Sequence, residues 1–385
     1  MLNQSPLHDL HAAHEASFIP YGPEDCVSAV VETFGDLDME YAALRKGAVL
    51  FDSPHTGVLR VTGTDRLPFL NNMVTNKAIG LMPGQSRACF WLNRKGRIDA
   101  DLLLCEFGDE MLIILDRHLA APTAEALNAF VFAEDVEIID ASGELSILSL
   151  HGPSTPALLA HTAEEPIALD DPNATGEVTI AGSRVHAIRQ DLTGEISVLL
   201  AAPRAALTSI HEKLLSVAQA HPELRARETG WLAINAARIE AGHPLFNVDF
   251  GPDNLPAESG VINQRVDFNK GCYLGQEVVA RMHARNTRKQ CIVALRILDQ
   301  QITTDHTDIR QPTTGSQVFE DTENPESPVG AVTSSTISPM LGAVPICFAM
   351  LKDAYSKPGT KLRVLAEGML VSAIVEPKLA FYTKP

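Results

Sequence analysis

The run Lys270-Gly271-Cys272-Tyr273-Leu274-Gly275-Gln276-Glu277-Val278-Val279-Ala280-Arg281-Met282-His283-Ala284-Arg285-Asn286 places one thiol between a glycine hinge and an apolar-periodic stretch. Gly271 permits a tight turn, and Val278, Val279 and Met282 recur at helical spacing, which predicts Cys272 at or just before a first helical turn. Free N–H groups there, with Lys270 beside them, would favour a reactive thiolate. The plain alternative is a packing cysteine, a residue type often buried. Asp99 and Asp101 offer acid–base chemistry: in a strand they share one face and could look into one pocket. Arg238 and Glu240 stand near the end of an alanine-rich helix stopped by Gly242-His243-Pro244; on an exposed helix such a pair is commonly solvated. Arg281, Arg285, Arg288 and Lys289 make a cationic island suited to a carboxylate-bearing partner, or a solvated helix face. His8, His11 and His14 could share a helix face, but with no carboxylate or thiol to complete a ligand set they read as part of a solvated tail, and no metal site is assigned.

The elements that must position these groups follow from periodicity. Residues 1–24, broken by Pro6, Pro20 and Pro23, read as a flexible arm. A helical pattern runs from Cys26 to Leu50, then Val58 to Thr62 alternates as a strand, and Asp65 is placed to cap a helix through Leu67, Phe69 and Leu70. Further strands are predicted at Met111–Leu115, Val136–Ile139, Leu145–Leu150, Val178–Ile180, Val185–Arg189 and Ile196–Leu200, with helices over Ala120–Phe132 and Ala205–Ala218. From Cys291 the pattern turns to short strands at Ile292–Ile297, Ser316–Phe319, Val329–Ser334, Ile346–Met350, Lys361–Leu365 and Met369–Val375, the rhythm of a small antiparallel barrel. A polar loop over Asp299–Gly315 separates the first two.

With 385 residues, 45% hydrophobic and 21% charged, the chain can bury a large core. A net charge of −17 argues against general nucleic-acid binding. Six scattered cysteines without paired spacing indicate a reducing compartment, and neither a secretory start nor an apolar run of membrane-spanning length is present, so a cytoplasmic protein without a membrane span is expected.

The run Lys-Gly-Cys-Tyr-x-Gly-Gln-Glu at 270–277 resembles the signature of the YgfZ family of folate-binding proteins, itself similar to the glycine-cleavage-system T protein. Arg238-Ile239-Glu240-Ala241-Gly242 resembles the family's Arg-Leu-Glu-Ala-Gly run, Leu150-His151-Gly152-Pro153 its Leu-x-Gly-Pro junction, and Pro256-Ala257-Glu258 its Pro-x-Glu turn; the likeness covers nearly all of 50–385. It implies an α+β fold: two α+β subdomains, 25–150 and 151–289, followed by an antiparallel β-barrel, 290–385. It also implies a site for tetrahydrofolate, with or without a polyglutamate tail, formed by Glu240, Arg238, Glu258, Lys270, Tyr273, Gln276, Arg281 and Arg285, with Cys272, Asp101 and Asp99 as reactive groups. The family's Gly-x-x-Asp-Asp-Leu run is split here as Asp99-Ala100-Asp101. That departure and the cysteine run favour a tetrahydrofolate-binding factor supporting assembly or repair of iron–sulfur enzymes, with those enzymes or cluster-assembly proteins as partners. The alternatives are a folate-dependent aminomethyl- or methyltransferase and a factor supporting tRNA modification.

Overall fold

The computed structural model describes residues 3–285, 287–298, 309–322 and 325–382. Among them are two large sheets, a two-stranded ribbon and a closed barrel. The six-stranded sheet runs Thr175–Ile180, Ser183–Arg189, Ser197–Pro203, Leu145–His151, Ala48–Asp52, Ala226–Glu228 in spatial order. Its last pair is parallel, with Glu228 opposite Leu50. The five-stranded sheet runs Gln85–Leu92, Ile98–Glu106, Met111–Asp116, Thr56–Thr62, Glu137–Asp140.

Strand Leu145–His151 is buried at every position, as a strand covered on both faces must be. Its Leu148 and Leu150 join Ala187, Val198 and Leu200 against Leu158, Leu159, Ile210 and Leu214 of the helices Thr155–Thr162 and Leu207–Ala220. Leu145 and Ile147 point the other way and pack with Ile188 and Ala201 against Val58, Leu103, Leu112 and Ile114 of the five-stranded sheet. The sheets expected in two separate subdomains therefore share a core.

His151 ends this strand, its Nδ1 2.8 Å from Ser197 Oγ and its Nε2 2.9 Å from Ser149 Oγ. Burial pushes the imidazole down to about 3. The unfolded chain, with histidine at about 6.5, takes up this proton first, so the stability contributed is present above about pH 6.5 and lost as pH falls toward the folded value. Urea unfolding of His151→Gln is expected to show a shallower loss of stability below about pH 6.5 than the parent; parallel pH profiles would refute that assignment.

The barrel closes in the order Gln290–Ile297, Val344–Lys352, Gly330–Ser338, Gln317–Glu320, Lys361–Ala366, Met369–Val375, every pair antiparallel. Alternate residues fill it, among them Val293, Leu295, Ile297, Ala349, Leu351, Leu362, Val364, Val371 and Ala373. All six expected strands are present; of the loop expected at Asp299–Gly315, residues 299–308 lie outside the described residues. The α+β fold ending in an antiparallel barrel is thus what the chain forms.

Three expectations change. The segment expected as a flexible arm is folded: Leu7 is fully buried, His8–Ala13 is a helix, and Ser17–Tyr21 pairs antiparallel with Ser28–Thr33. The helix expected over Cys26–Leu50 is instead strand Ser28–Thr33, helix Leu37–Lys46 and strand Ala48–Asp52; Val30 and Val31 are both buried, and Asp36 starts the helix by accepting from Met39 N at 3.0 Å. The segments also group differently. One compact unit holds Met1–Trp91, Ala100–Ile234 and Asn269–Tyr273; the other holds Leu92–Asp99, Asn235–Phe268 and Leu274–Pro385, which includes the barrel. No helix among the described residues is long and apolar enough to cross a membrane.

Candidate functional site

In the first unit, Lys270 is buried against the end of helix Arg66–Met73. Its ammonium donates to Asn71 O at 2.7 Å, Val74 O at 2.5 Å and Asn76 O at 2.8 Å. Carbonyls at a helix C-terminus carry negative partial charge, and an ammonium has three donors to give them. The Tyr273 ring lies 5.1 Å from the same ammonium, and burial pushes its hydroxyl up to about 12. Lys270, expected to activate Cys272 or receive a folate tail, instead holds the 71–76 segment in place.

Cys272 is exposed, and the helix beyond it begins only at Gln276. The thiol therefore stands in the loop ahead of the first helical turn, and its accessibility comes from that loop. Cys89, Cys105, Cys291 and Cys347 are buried, and burial raises the last three, Cys347 to about 12. Limiting iodoacetamide at neutral pH should therefore modify Cys272 before any of these four in the native protein, read by mass spectrometry. Equal labelling of Cys89 or Cys105 would contradict the placement.

In the second unit, a turn at 93–97 organises several of the expected residues. Asn93 Oδ1 accepts from Lys95 N at 2.9 Å and Arg97 N at 3.2 Å, while its Nδ2 donates to Asp99 Oδ1 at 2.8 Å. Helix Gln276–Arg285 starts against this turn, and the approach demands glycine on both sides. A Cβ at Gly275 (φ +80°) would meet Asn93 O at 2.6 Å, and one at Gly96 (φ +73°) would meet Val278 Cβ at 2.7 Å. Asn254 joins from a third side: its carbonyl accepts from Ile98 N at 3.1 Å and its amide donates to Glu258 Oε2 at 3.1 Å. Glu258 also accepts from Leu255 N at 3.1 Å and is buried, so this expected folate contact caps its own turn.

Asp99 and Asp101 alternate with buried Ile98, Ala100 and Leu102 along strand Ile98–Glu106, so both are half-buried on one face of the strand, as strand periodicity predicts, and buried Leu103 and Cys105 continue that face. Gln276 is half-buried at the start of its helix, Arg281 and Arg285 are exposed along it, and His283 stacks on Phe268 at 3.8 Å.

Arg238 and Glu240 are both 0% exposed. Arg238 donates from Nε to Asn235 Oδ1 at 3.1 Å, and from Nη1 to His243 O at 3.1 Å and Asp249 Oδ2 at 2.7 Å. Asp249 Oδ1 in turn accepts from Thr333 Oγ1 at 2.8 Å and Ser334 Oγ at 2.5 Å. Glu240 Oε1 accepts from Ser338 Oγ, and its carbonyl from Phe381 N at 2.9 Å. Both residues thus tie helix Trp231–Ala241 to barrel strand Gly330–Ser338, with Glu240 fully buried. Asn93 was not singled out as a site residue in sequence, though the Asn-x-x-Gly turn pattern points to it.

Two packed sheets with flanking helices and a closed six-stranded antiparallel barrel define the class of fold. The GCVT N-terminal domain matches residues 7–270 and the glycine cleavage T-protein C-terminal barrel domain residues 300–382. The chain belongs to the glycine cleavage T-protein family. Along its whole length it is 27% identical over 391 residues to an aminomethyltransferase of Bacillus subtilis, covering all of that protein. It is 26% identical over 387 residues to one of Caldanaerobacter subterraneus subsp. tengcongensis, covering 96% of it. In fold it is similar to the crystal structure of glycine cleavage system aminomethyltransferase T from Bartonella henselae, with a TM-score of 0.84 at 24% identity over 100% of this chain and 99% of that one.

Proposed function

We propose that the chain transfers a one-carbon unit, aminomethyl in type, to a nitrogen of tetrahydrofolate, with Asp101 as the proton acceptor and Asp99 orienting the pterin. The observation that carries this reading is the half-buried carboxylate pair on strand Ile98–Glu106, in a chain whose relatives are aminomethyltransferases from end to end. As the folate nitrogen bonds to the incoming carbon, the bond between that carbon and its carrier breaks with its electron pair leaving on the carrier; the nitrogen loses a proton, which a placed carboxylate takes and can pass to the departing group. Pterin N–H groups suit carboxylate acceptors. The buried Arg238, Glu240, Glu258 and Lys270 serve the scaffold in this reading. The carbon donor would come from other proteins of a glycine cleavage system. Incubation with an aminomethylated carrier protein should yield a one-carbon folate only when tetrahydrofolate is present. Tight folate binding in calorimetry without transfer would overturn the transferase reading.

A second reading, of the YgfZ type, is a tetrahydrofolate-binding factor that maintains iron–sulfur enzymes. One observation favours it: the transfer chemistry uses no thiol, yet Cys272 is exposed within the run 270–277. Under this reading a Cys272→Ser strain loses iron–sulfur enzyme activities while the purified variant keeps its folate affinity; unchanged activities would dismiss it.

A further inference from the structure

The N-terminal histidines acquire in the fold the carboxylates that they lack in sequence. His11, on helix His8–Ala13, is 3% exposed and His211, on helix Leu207–Ala220, is fully buried. Both face Glu228 at the end of strand Ala226–Glu228: His11 Nδ1 lies 3.2 Å and His211 Nε2 3.1 Å from the same Oε1. These three ligand atoms all lie within 4.8 Å of one another. None of them makes an aligned hydrogen bond, although each is buried. Two ligands of a tetrahedral ion bound at about 2.0–2.1 Å stand about 3.3–3.4 Å apart, so the spacing suits the edges of a coordination shell.

We propose that His11 Nδ1, His211 Nε2 and Glu228 Oε1 bind a divalent transition-metal ion, zinc foremost, with the fourth position left to water at the exposed side, where His14 stands. Imidazole and carboxylate together are the donor set such ions take. The surroundings complete the pattern: His11 Nε2 lies 3.3 Å from Asp52 Oδ2, so an Nε2–H directed at that carboxylate leaves the Nδ1 lone pair for the metal. The two carboxylate charges of Glu228 and Asp52 match those of a dication. Among the described residues no guanidinium or ammonium pairs with either carboxylate. A second cluster, Glu110, Glu177 and His186, differs on this point, since Arg60 and Arg184 pair with its carboxylates. The ion would fasten the N-terminal helix to one edge of the six-stranded sheet and to helix Leu207–Ala220.

The rival occupant is a proton. Burial alone would lower His11, but the neighbouring carboxylates of Asp52 and Glu228 outweigh that and raise it to about 9. The full-length protein, stripped with chelator, should take up one equivalent of Zn²⁺ in calorimetry and unfold at higher temperature with it. X-ray absorption at the zinc edge of the wild type should show nitrogen and oxygen neighbours only. Glu228→Gln and the double variant His11→Gln/His211→Gln should abolish uptake, Asp52→Asn should weaken it about 10–100-fold, and Cys272→Ser should leave it unchanged. Absence of stoichiometric uptake by the wild type, sulfur in the zinc shell, or uptake surviving the double variant would each overturn the proposal. The wild-type absorption measurement decides the matter even where a variant fails to fold.

Discussion

Asp101→Asn is expected to lower the tetrahydrofolate-dependent transfer rate by about 10²–10⁴-fold, the range for removing a placed general base. Asparagine keeps the shape of aspartate and can still accept a hydrogen bond, but it cannot take the nitrogen's proton. The position is half-buried between buried Ala100 and Leu102 in strand Ile98–Glu106, and asparagine keeps the size and shape of the side chain, so the change should cost about 1 kcal/mol of stability. The loss should fall on the rate constant, with folate affinity changed by less than about tenfold, since the hydrogen bond is exchanged and not removed. Asp99→Asn serves as the comparison. Its carboxylate already accepts from Asn93 Nδ2 at 2.8 Å, so its replacement should disturb the turn at 93–97 and the affinity more than the rate. A full rate in Asp101→Asn would rule out its role as proton acceptor.

Periodicity revealed the elements whose burial repeats cleanly. Barrel strands Lys361–Ala366 and Met369–Val375 alternate residue by residue, and Leu145–His151 is an apolar run because two layers cover it. It failed where two periods fit the same residues. Val30, Val31 and Phe34 satisfy a helical spacing, yet Val30 and Val31 lie in strand Ser28–Thr33. The expected cap was also displaced: Asp65 Oδ2 accepts from Asp135 N at 2.9 Å, 70 residues away. The candidate site shows the same division. A motif marks positions that a family fold uses, but it does not separate a group that meets substrate from one that holds the scaffold. Lys270, Arg238, Glu240 and Glu258 all turned out to have internal partners, several of them far away in sequence, as in Lys270 with Asn71 and Glu240 with Ser338. The shared strand face of Asp99 and Asp101 was legible because a period of two sets it locally. The gathering of His11, His211, Glu228 and Asp52 was not, because it depends on how a helix at each end of the first unit meets one sheet edge.

Arg238→Met is expected to destabilise the protein by about 3–5 kcal/mol, the range for breaking a buried ion pair from one side. Methionine fills much of the same space and can pack on Phe348, whose ring lies 6.0 Å from the guanidinium carbon. What it cannot do is answer Asp249, whose side chain is 0% exposed. The Leu245 N, Thr333 and Ser334 donors remain on that carboxylate, but they are neutral dipoles facing a charge that has lost its counterion. The double variant Arg238→Met/Asp249→Asn should therefore recover part of the loss. Asparagine stays an acceptor for Thr333 and Ser334 without carrying the buried charge, so the two substitutions should couple by about 1–3 kcal/mol in a urea-unfolding cycle. Strict additivity, or a cost below about 1 kcal/mol for Arg238→Met alone, would mean that solvent reaches the pair and that helix Trp231–Ala241 is held to the barrel by other contacts.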